Sequence, residues 1–368
     1  MKKIFDRIIF CHKPKNHFTY GGLTVADDRI KIALGSLTDD LIDYSFDMMD
    51  YNVNHLKKYY NLSKTIIHNY TKKDIEEIES KFISKGRCLL FVSHSSYGTF
   101  VKYFKDRYPD VEIAVFFHNI EIQMAYNRFV RRHMPGGFFE LFRDFRSERM
   151  VAKYADFIFL MNSRDENLFR KFYKNHPVVH FPMTIVDRYK SDVDVPNNSQ
   201  LKLLFVGTYF WGNIPGLIQF VDKVMPYINA ELYIVGKDME KIEKHLMYKE
   251  RIHLIGRVDD ETLDSYYINS DVVIAPVLSG GGMKTKVAEA MMYGRPVIGT
   301  KEAYCGYNFP PEEIGFCSDN IGDYVSFINI FANDRPLLKQ KSIRAREIYE
   351  KGYSLKKTIE ILYDTFVK

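Results

Sequence analysis

Short apolar runs without alternation recur along this chain, and they restrict its fold more than any other feature. In the first half they are Arg7–Cys11 (RIIFC), Cys88–Val92 (CLLFV), Glu112–Phe117 (EIAVFF) and Phe157–Met161 (FIFLM). In the second half they are Leu201–Val206, Glu231–Val235, Arg251–Ile255, Asp271–Ala275 and Pro296–Gly299. A strand with one wet face alternates apolar and polar residues; a strand covered on both faces does not. Amphipathic stretches lie between the runs, among them Asp74–Ile83, Gly216–Met225, Thr262–Ile268 and Lys286–Met292. Strand and helix alternating along the whole chain predict an α/β architecture with mainly parallel sheets.

The length of 368 residues predicts about two domains. Arg188–Gln200 (RYKSDVDVPNNSQ) is polar, carries Pro196 and has no apolar period, so it reads as a linker. The strand rhythm restarts at Leu201. We therefore expect two doubly wound domains, 1–190 and 201–345, with 346–368 as a C-terminal helix crossing back to the first. The first 190 residues carry a net charge of +8 and the remainder −3. That surplus is too weak to argue for nucleic acid. Cys11, Cys88, Cys305 and Cys317 are scattered, which disfavours a zinc site or a disulfide framework. Asp6, Arg7 and His12 interrupt the N-terminal segment, so it does not read as a signal peptide. No window is long and apolar enough to span a bilayer. The expected location is cytoplasmic, or peripheral at the inner face of a membrane.

Asp271–Thr300 (DVVIAPVLSGGGMKTKVAEAMMYGRPVIGT) carries the chemistry. A strand enters a loop with Gly280, Gly281 and Gly282, and a helix follows from about Lys286 to Tyr293. A glycine-rich loop that opens a helix presents backbone N–H groups, and the helix N-terminus adds partial positive charge. Lys284 and Lys286 stand beside it. This is a site for a diphosphate. Glu289, about one turn into the helix, suits two vicinal hydroxyls, as in a ribose. The competing reading is a loop needed only for a tight turn, with solvated lysines. Neither GxGxxG with its acidic partner nor GxxxxGK[ST] is present, which disfavours dehydrogenases and P-loop enzymes.

These residues resemble the family-four-type retaining glycosyltransferases (group 1 glycosyltransferases) of GT-B fold. The resemblance runs through Phe205–Pro226, Glu231–Asp238 and Arg251–Thr300. It extends more loosely to Tyr20–Ile30, Phe116–Glu121 and Phe157–Phe169. It implies two Rossmann-like domains facing across a cleft that holds a nucleotide-diphosphate sugar. In the pattern so implied, Glu289 binds the ribose. The backbone of Gly282, Met283, Lys284 and Thr285 contacts phosphates and sugar, and Gly207 and Thr208 lie near the diphosphate. Arg257 and Val258 frame the base. Two departures stand out. Gly281 occupies the place of the first glutamate of the E-x7-E motif. Thr208–Gly216 also lacks the family's basic pair, a charge that Lys284 and Lys286 are expected to supply.

In the first half, the resemblance puts His118 at the transferring sugar or acceptor as the catalytic candidate. His94, at the end of the preceding strand, is the second candidate. Gly21 and Gly22 are expected to let substrates approach the backbone, or simply to form a turn. Lys13 and Lys15 read as solvated. Arg128–Arg146 interleaves five arginines with phenylalanines and reads either as a helix pair packed by its Phe face or as a contact with an anionic membrane surface. Asp192-Val193-Asp194 spells a DxD motif, but it lies in the polar linker, so no metal is expected there. The expected activity is glycosyl transfer from a nucleotide-diphosphate sugar to a glycan or lipid-linked acceptor. Retention is expected without metal or cofactor, in glycan or surface polysaccharide synthesis. The alternatives are a non-catalytic GT-B partner subunit, or an epimerase or hydrolase on the same scaffold.

Overall fold

The computed structural model describes residues 2–13, 22–46, 70–82, 86–132, 136–174, 176–189, 193, 200–280 and 282–367. The chain divides into two compact units, Met1–Pro182 with Thr358–Lys368, and Met183–Lys357.

The first unit runs β1 (Arg7–His12), α1 (Gly22–Gly35), β2 (Leu41–Ser45), α2 (Lys72–Glu79), β3 (Cys88–Val92) and α3 (Gly98–Arg107). It continues with β4 (Glu112–Phe117), α4 (Glu121–Arg132), α5 (Gly136–Tyr154), β5 (Phe157–Leu160), α6 (Ser163–Tyr173) and β6 (Val178–His180). The strands pair in parallel in the order β2-β1-β3-β4-β5-β6. Every residue of β3 is buried, as its unbroken apolar run requires. Ile9, Val92, Phe100, Val115 and Phe169 share one core.

The second unit runs β7 (Leu201–Val206), α7 (Ile214–Lys223), β8 (Ala230–Val235), β9 (Ile252–Gly256), α8 (Asp260–Asn269) and β10 (Val272–Ala275). After these come α9 (Thr285–Met292), β11 (Val297–Gly299), β12 (Gly315–Cys317), α10 (Tyr324–Asn333) and α11 (Arg335–Gly352). The strands are again parallel, in the order β12-β11-β10-β7-β8-β9. Phe205, Leu217, Phe220, Ile234 and Ile274 lie in its core.

Each sheet reverses its strand order once, between β1 and β3 in the first unit and between β7 and β10 in the second. An open parallel sheet offers a ligand crevice at the carboxyl ends of its strands at such a point. The loops that follow β1, β3, β7 and β10 are therefore the places to look for chemistry.

The last helix, α12 (Leu355–Val367), begins in the second unit, where the Leu355 amide donates to the Ile185 carbonyl (3.1 Å). From Thr358 it belongs to the first. Phe366 is buried there, with ring centroids 5.1 Å from Phe5 and 5.0 Å from Phe157. Removing a buried phenylalanine costs about 3–5 kcal/mol. Phe366→Ala should therefore lower the thermal unfolding midpoint of the first unit markedly, as hydrogen exchange of β1 and β5 would report. Unchanged protection of those strands would show that the helix is not part of that core.

Candidate functional site

In the second unit, the reversal of strand order brings the loop after β7 beside the glycine-rich loop after β10. Lys286, in the first turn of α9, is buried. Its ammonium donates to Asn213 Oδ1 (3.1 Å) and stands 4.0 Å from the centre of the Phe205 ring. Burial lowers its pKa to about 7; Glu289 opposes the shift and Lys284 adds to it. Gly207 keeps the space next to this ammonium clear. A Cβ there would stand 2.9 Å from Asn213 Nδ2 and 3.2 Å from Lys286 Nζ. The Thr208 carbonyl accepts from Asn213 Nδ2 (3.0 Å), so one amide ties the β7 loop to the lysine. Gly282 turns the chain into α9 with a φ of +60°. Met283 is buried beside it, its sulfur accepting from the Met183 amide (3.3 Å). Thr285 begins the helix, whose N-cap residue, Lys284, gives it no side-chain hydrogen bond.

Glu289 Oε2 accepts from the Tyr267 hydroxyl (2.8 Å). Burial raises the carboxyl's pKa, while that hydroxyl and the Arg188 and Lys286 cations pull it down. Tyr267 stacks on Tyr293 (4.8 Å, 11°), and Tyr293 donates to Asp264. Arg188 reaches the same Asp264 carboxylate at 2.9 Å. The start of the polar stretch read as a linker is thus packed into this unit.

Lys284 has partners of its own. Its ammonium is 2.7 Å from Glu302 Oε1 and 3.0 Å from the Gly282 carbonyl. The exposed Arg257 and half-buried Val258 follow β9, two strands away from β7. Gly281 lies outside the described residues. Asn213, Tyr267 and Glu302 were not singled out in the sequence. Only Asn213 had a local signal, as a capping-type residue just before a helix.

In the first unit, the reversal at β1/β3 gathers a second cluster. His118, Asp27, Ser93 and His94 are all buried. The Ser93 hydroxyl donates to Asp27 Oδ1, so its oxygen accepts from His118 Nε2 (3.0 Å). Asp27 Oδ1 is itself 3.4 Å from that nitrogen. The network therefore assigns the proton to Nε2 of His118. His94 Nδ1 accepts from the Ser96 amide (3.1 Å), which puts the proton of a neutral ring on Nε2. Facing Nε2 are Lys13 Nζ at 2.8 Å and Glu121 Oε1 at 3.6 Å. The lysine nitrogen and the imidazole thus share one contact, with the Glu121 carboxylate close by. Burial lowers the pKa of Lys13, and it lowers that of His94 well below the ordinary value. Lys13, read as solvated, is thus half-buried against His94. Asp27 and Ser93 carried no sequence signal; only the sheet brings them to His118.

Gly22 opens α1. Gly21, Lys15, Asp192 and Asp194 lie outside the described residues. Of Arg128–Arg146, the side chains of Arg128, Arg131 and Arg132 also lie outside them. Phe145 stacks on Tyr173 (5.8 Å), Arg143 pairs with Asp144 (2.7 Å), and Phe142 is exposed. Among the described residues, no helix is long and apolar enough to cross a membrane.

Residues 200–315 match the family model described as glycosyl transferases group 1. A protein from the cps region of Klebsiella pneumoniae is 27% identical over 44% of this chain and 45% of its own length. The chain thus matches less than half of that relative. The sucrose-phosphate synthase of Thermosynechococcus elongatus aligns over 98% of each chain with a TM-score of 0.73 and 14% identity. Anabaena HepE, solved in complex with UDP-glucose, aligns over 98% of this chain and all of its own, with a TM-score of 0.68 and 11% identity. The likeness to these structures shows the fold, which is GT-B, and the family-model match over residues 200–315 falls within the second unit.

The two histidine assignments are directly testable. Imidazole 15N shifts should report Nε2–H on both rings. His94 should remain neutral at pH 6, where an ordinary histidine (pKa about 6.5) is mostly charged. A proton on His94 Nδ1 at that pH would refute the assignment.

Proposed function

We propose that this protein is a glycosyltransferase that moves a sugar from a nucleoside-diphosphate sugar to an acceptor hydroxyl, with retention and without a metal. The match of residues 200–315 supports glycosyl transfer. The observation that carries the finer reading is Lys286, a lysine buried over an aromatic ring with, among the described residues, no carboxylate paired to its ammonium at salt-bridge distance. A buried cation without a counter-ion is costly, and an anion repays that cost. The diphosphate is that anion. It meets the ammonium beside Gly207, the N–H groups opening α9 and the positive end of the helix. As the glycosidic bond breaks, charge grows on the leaving phosphate oxygen, and these fixed donors stabilise it.

In this reading Glu289 holds the ribose hydroxyls through Oε1, while Tyr267 occupies Oε2. Glu302, ion-paired with Lys284, stands beside Gly280 of the glycine-rich loop, 3.8 Å from where a Cβ there would lie. The nucleoside is uridine, by analogy with HepE. In the first unit, His118 keeps its Nε2–H on Ser93 and offers Nδ1 to the sugar or acceptor. The acceptor is a glycan or a lipid-linked glycan. An assay with UDP-sugars and an acceptor tests the reading. Free sugar or an epimer formed without acceptor would indicate a hydrolase or epimerase. Failure to bind any nucleoside diphosphate would indicate a non-catalytic subunit.

The state of Lys286 sets a pH dependence. In the free protein the lysine is half-protonated near pH 7. A bound diphosphate favours the ammonium and raises its pKa, so binding takes up a proton. Affinity for UDP should fall above pH 7, by at most about tenfold per pH unit. Calorimetry in buffers of different ionisation enthalpy would measure the uptake. Lys286→Met should bind weakly and lose the uptake. A wild-type affinity that is flat from pH 7 to 9 would remove the lysine from the phosphate site.

A further inference from the structure

The loop after β7 reads Thr208-Tyr-Phe-Trp-Gly-Asn213 and contains no cation. Instead it exposes three consecutive aromatic residues. Tyr209 is 37% exposed, and Phe210 and Trp211 are each 46% exposed. Folding normally hides such side chains, and adjacent exposed rings are a mark of binding surface.

Their position is fixed by a close backbone approach. A Cβ on Gly212 would stand 2.8 Å from the Ser279 carbonyl and 3.0 Å from Phe210 Cε1. The Phe210 ring and the glycine-rich loop therefore converge on the same point. The Trp211 ring lies 4.9 Å from Phe210, tilted by 50°. On the next loop residue, a Cβ at Gly280 would stand 3.8 Å from Glu302 Oε1. Aromatic faces and a carboxylate thus flank adjacent residues of one loop.

We propose that Phe210 and Trp211 form an aromatic wall that takes a pyranose ring. A pyranose is amphipathic: its C–H face is apolar and weakly positive, and its hydroxyls point outward. An aromatic face carries negative potential and suits the first, and a carboxylate suits the second. These rings carry no charge to meet a phosphate, and their one donor is the Trp211 indole N–H. The pyranose comes either from the nucleotide sugar or from a glycan acceptor. The inference rests on the diphosphate reading above, because the glycine-rich loop is what places the wall beside the phosphate.

The chain contains a single tryptophan, so its fluorescence reports this wall alone. The full chain is titrated with UDP, with UDP-glucose, with maltoheptaose and with phosphatidylglycerol vesicles. Binding of the two nucleotides is followed in parallel by calorimetry. UDP should bind with little change in emission, while UDP-glucose should shift and quench it. A shift with maltoheptaose in place of UDP-glucose assigns the wall to the acceptor. Trp211→Ala should weaken the pyranose ligand about five- to tenfold, the usual range for one aromatic contact. It should leave UDP affinity unchanged, and Trp211→Phe should restore most of the loss. If UDP and UDP-glucose bind equally to wild type and Trp211→Ala and no saccharide moves the emission, the wall is refuted while the diphosphate site stands. If only vesicles move it, the rings contact lipid and the proposal falls. If neither nucleotide binds, the diphosphate reading fails and takes this one with it.

Discussion

A parallel sheet buried on both faces leaves its chemistry only one place to go. In β3 and β10 every side chain is buried, so the strands themselves present nothing to a ligand. Polar groups collect where the strands end and the backbone turns outward. The reversal of strand order then decides which strand ends become neighbours. In the first unit it joins the ends of β1 and β3, giving Lys13, Ser93 and His94, with His118 arriving from β4. In the second it joins the ends of β7 and β10, giving Gly207, Asn213 and the glycine-rich loop. Both clusters follow from one topological rule applied to two different strand orders.

The clusters handle buried charge in opposite ways. In the first unit burial works against charge, lowering the pKa of both His94 and Lys13. Asp27 accepts from the Ser93 hydroxyl and lies 3.4 Å from His118 Nε2. In the second unit a cation is held half-made. Lys286 has a ring face and one amide oxygen, which is less than an ammonium needs and enough to keep its pKa near 7. On the reading proposed above such a site is tuned to an anion, whereas Lys284 is paired with Glu302 at 2.7 Å.

Legibility in the sequence followed burial. The central strands could be read because an apolar run of five or so residues without alternation fits little besides a strand covered on both faces. Of the edge strands, β9 could be read from its apolar run, but β2 (LIDYS), β6 (VVH) and β12 (GFC) could not, since an edge needs only three to five residues and tolerates polar ones. The glycine-rich loop and Glu289 were legible because their spacing is local. Asn213 is 73 residues from Lys286, and Ser93 is 66 from Asp27. No pattern in the chain announces pairs so far apart.

By itself, then, the sequence determined the α/β class, the parallel sheets, and a glycine-rich loop opening a helix with a carboxylate one turn on. Those depend on hydrophobic period and on backbone freedom, which act between near neighbours. Which lysine is open and which is paired, where each histidine keeps its proton, and which aromatic rings remain on the surface were decided only by the tertiary structure. A pKa, a tautomer and an exposure are properties of surroundings, and here the surroundings are assembled from strands and helices distant in the chain.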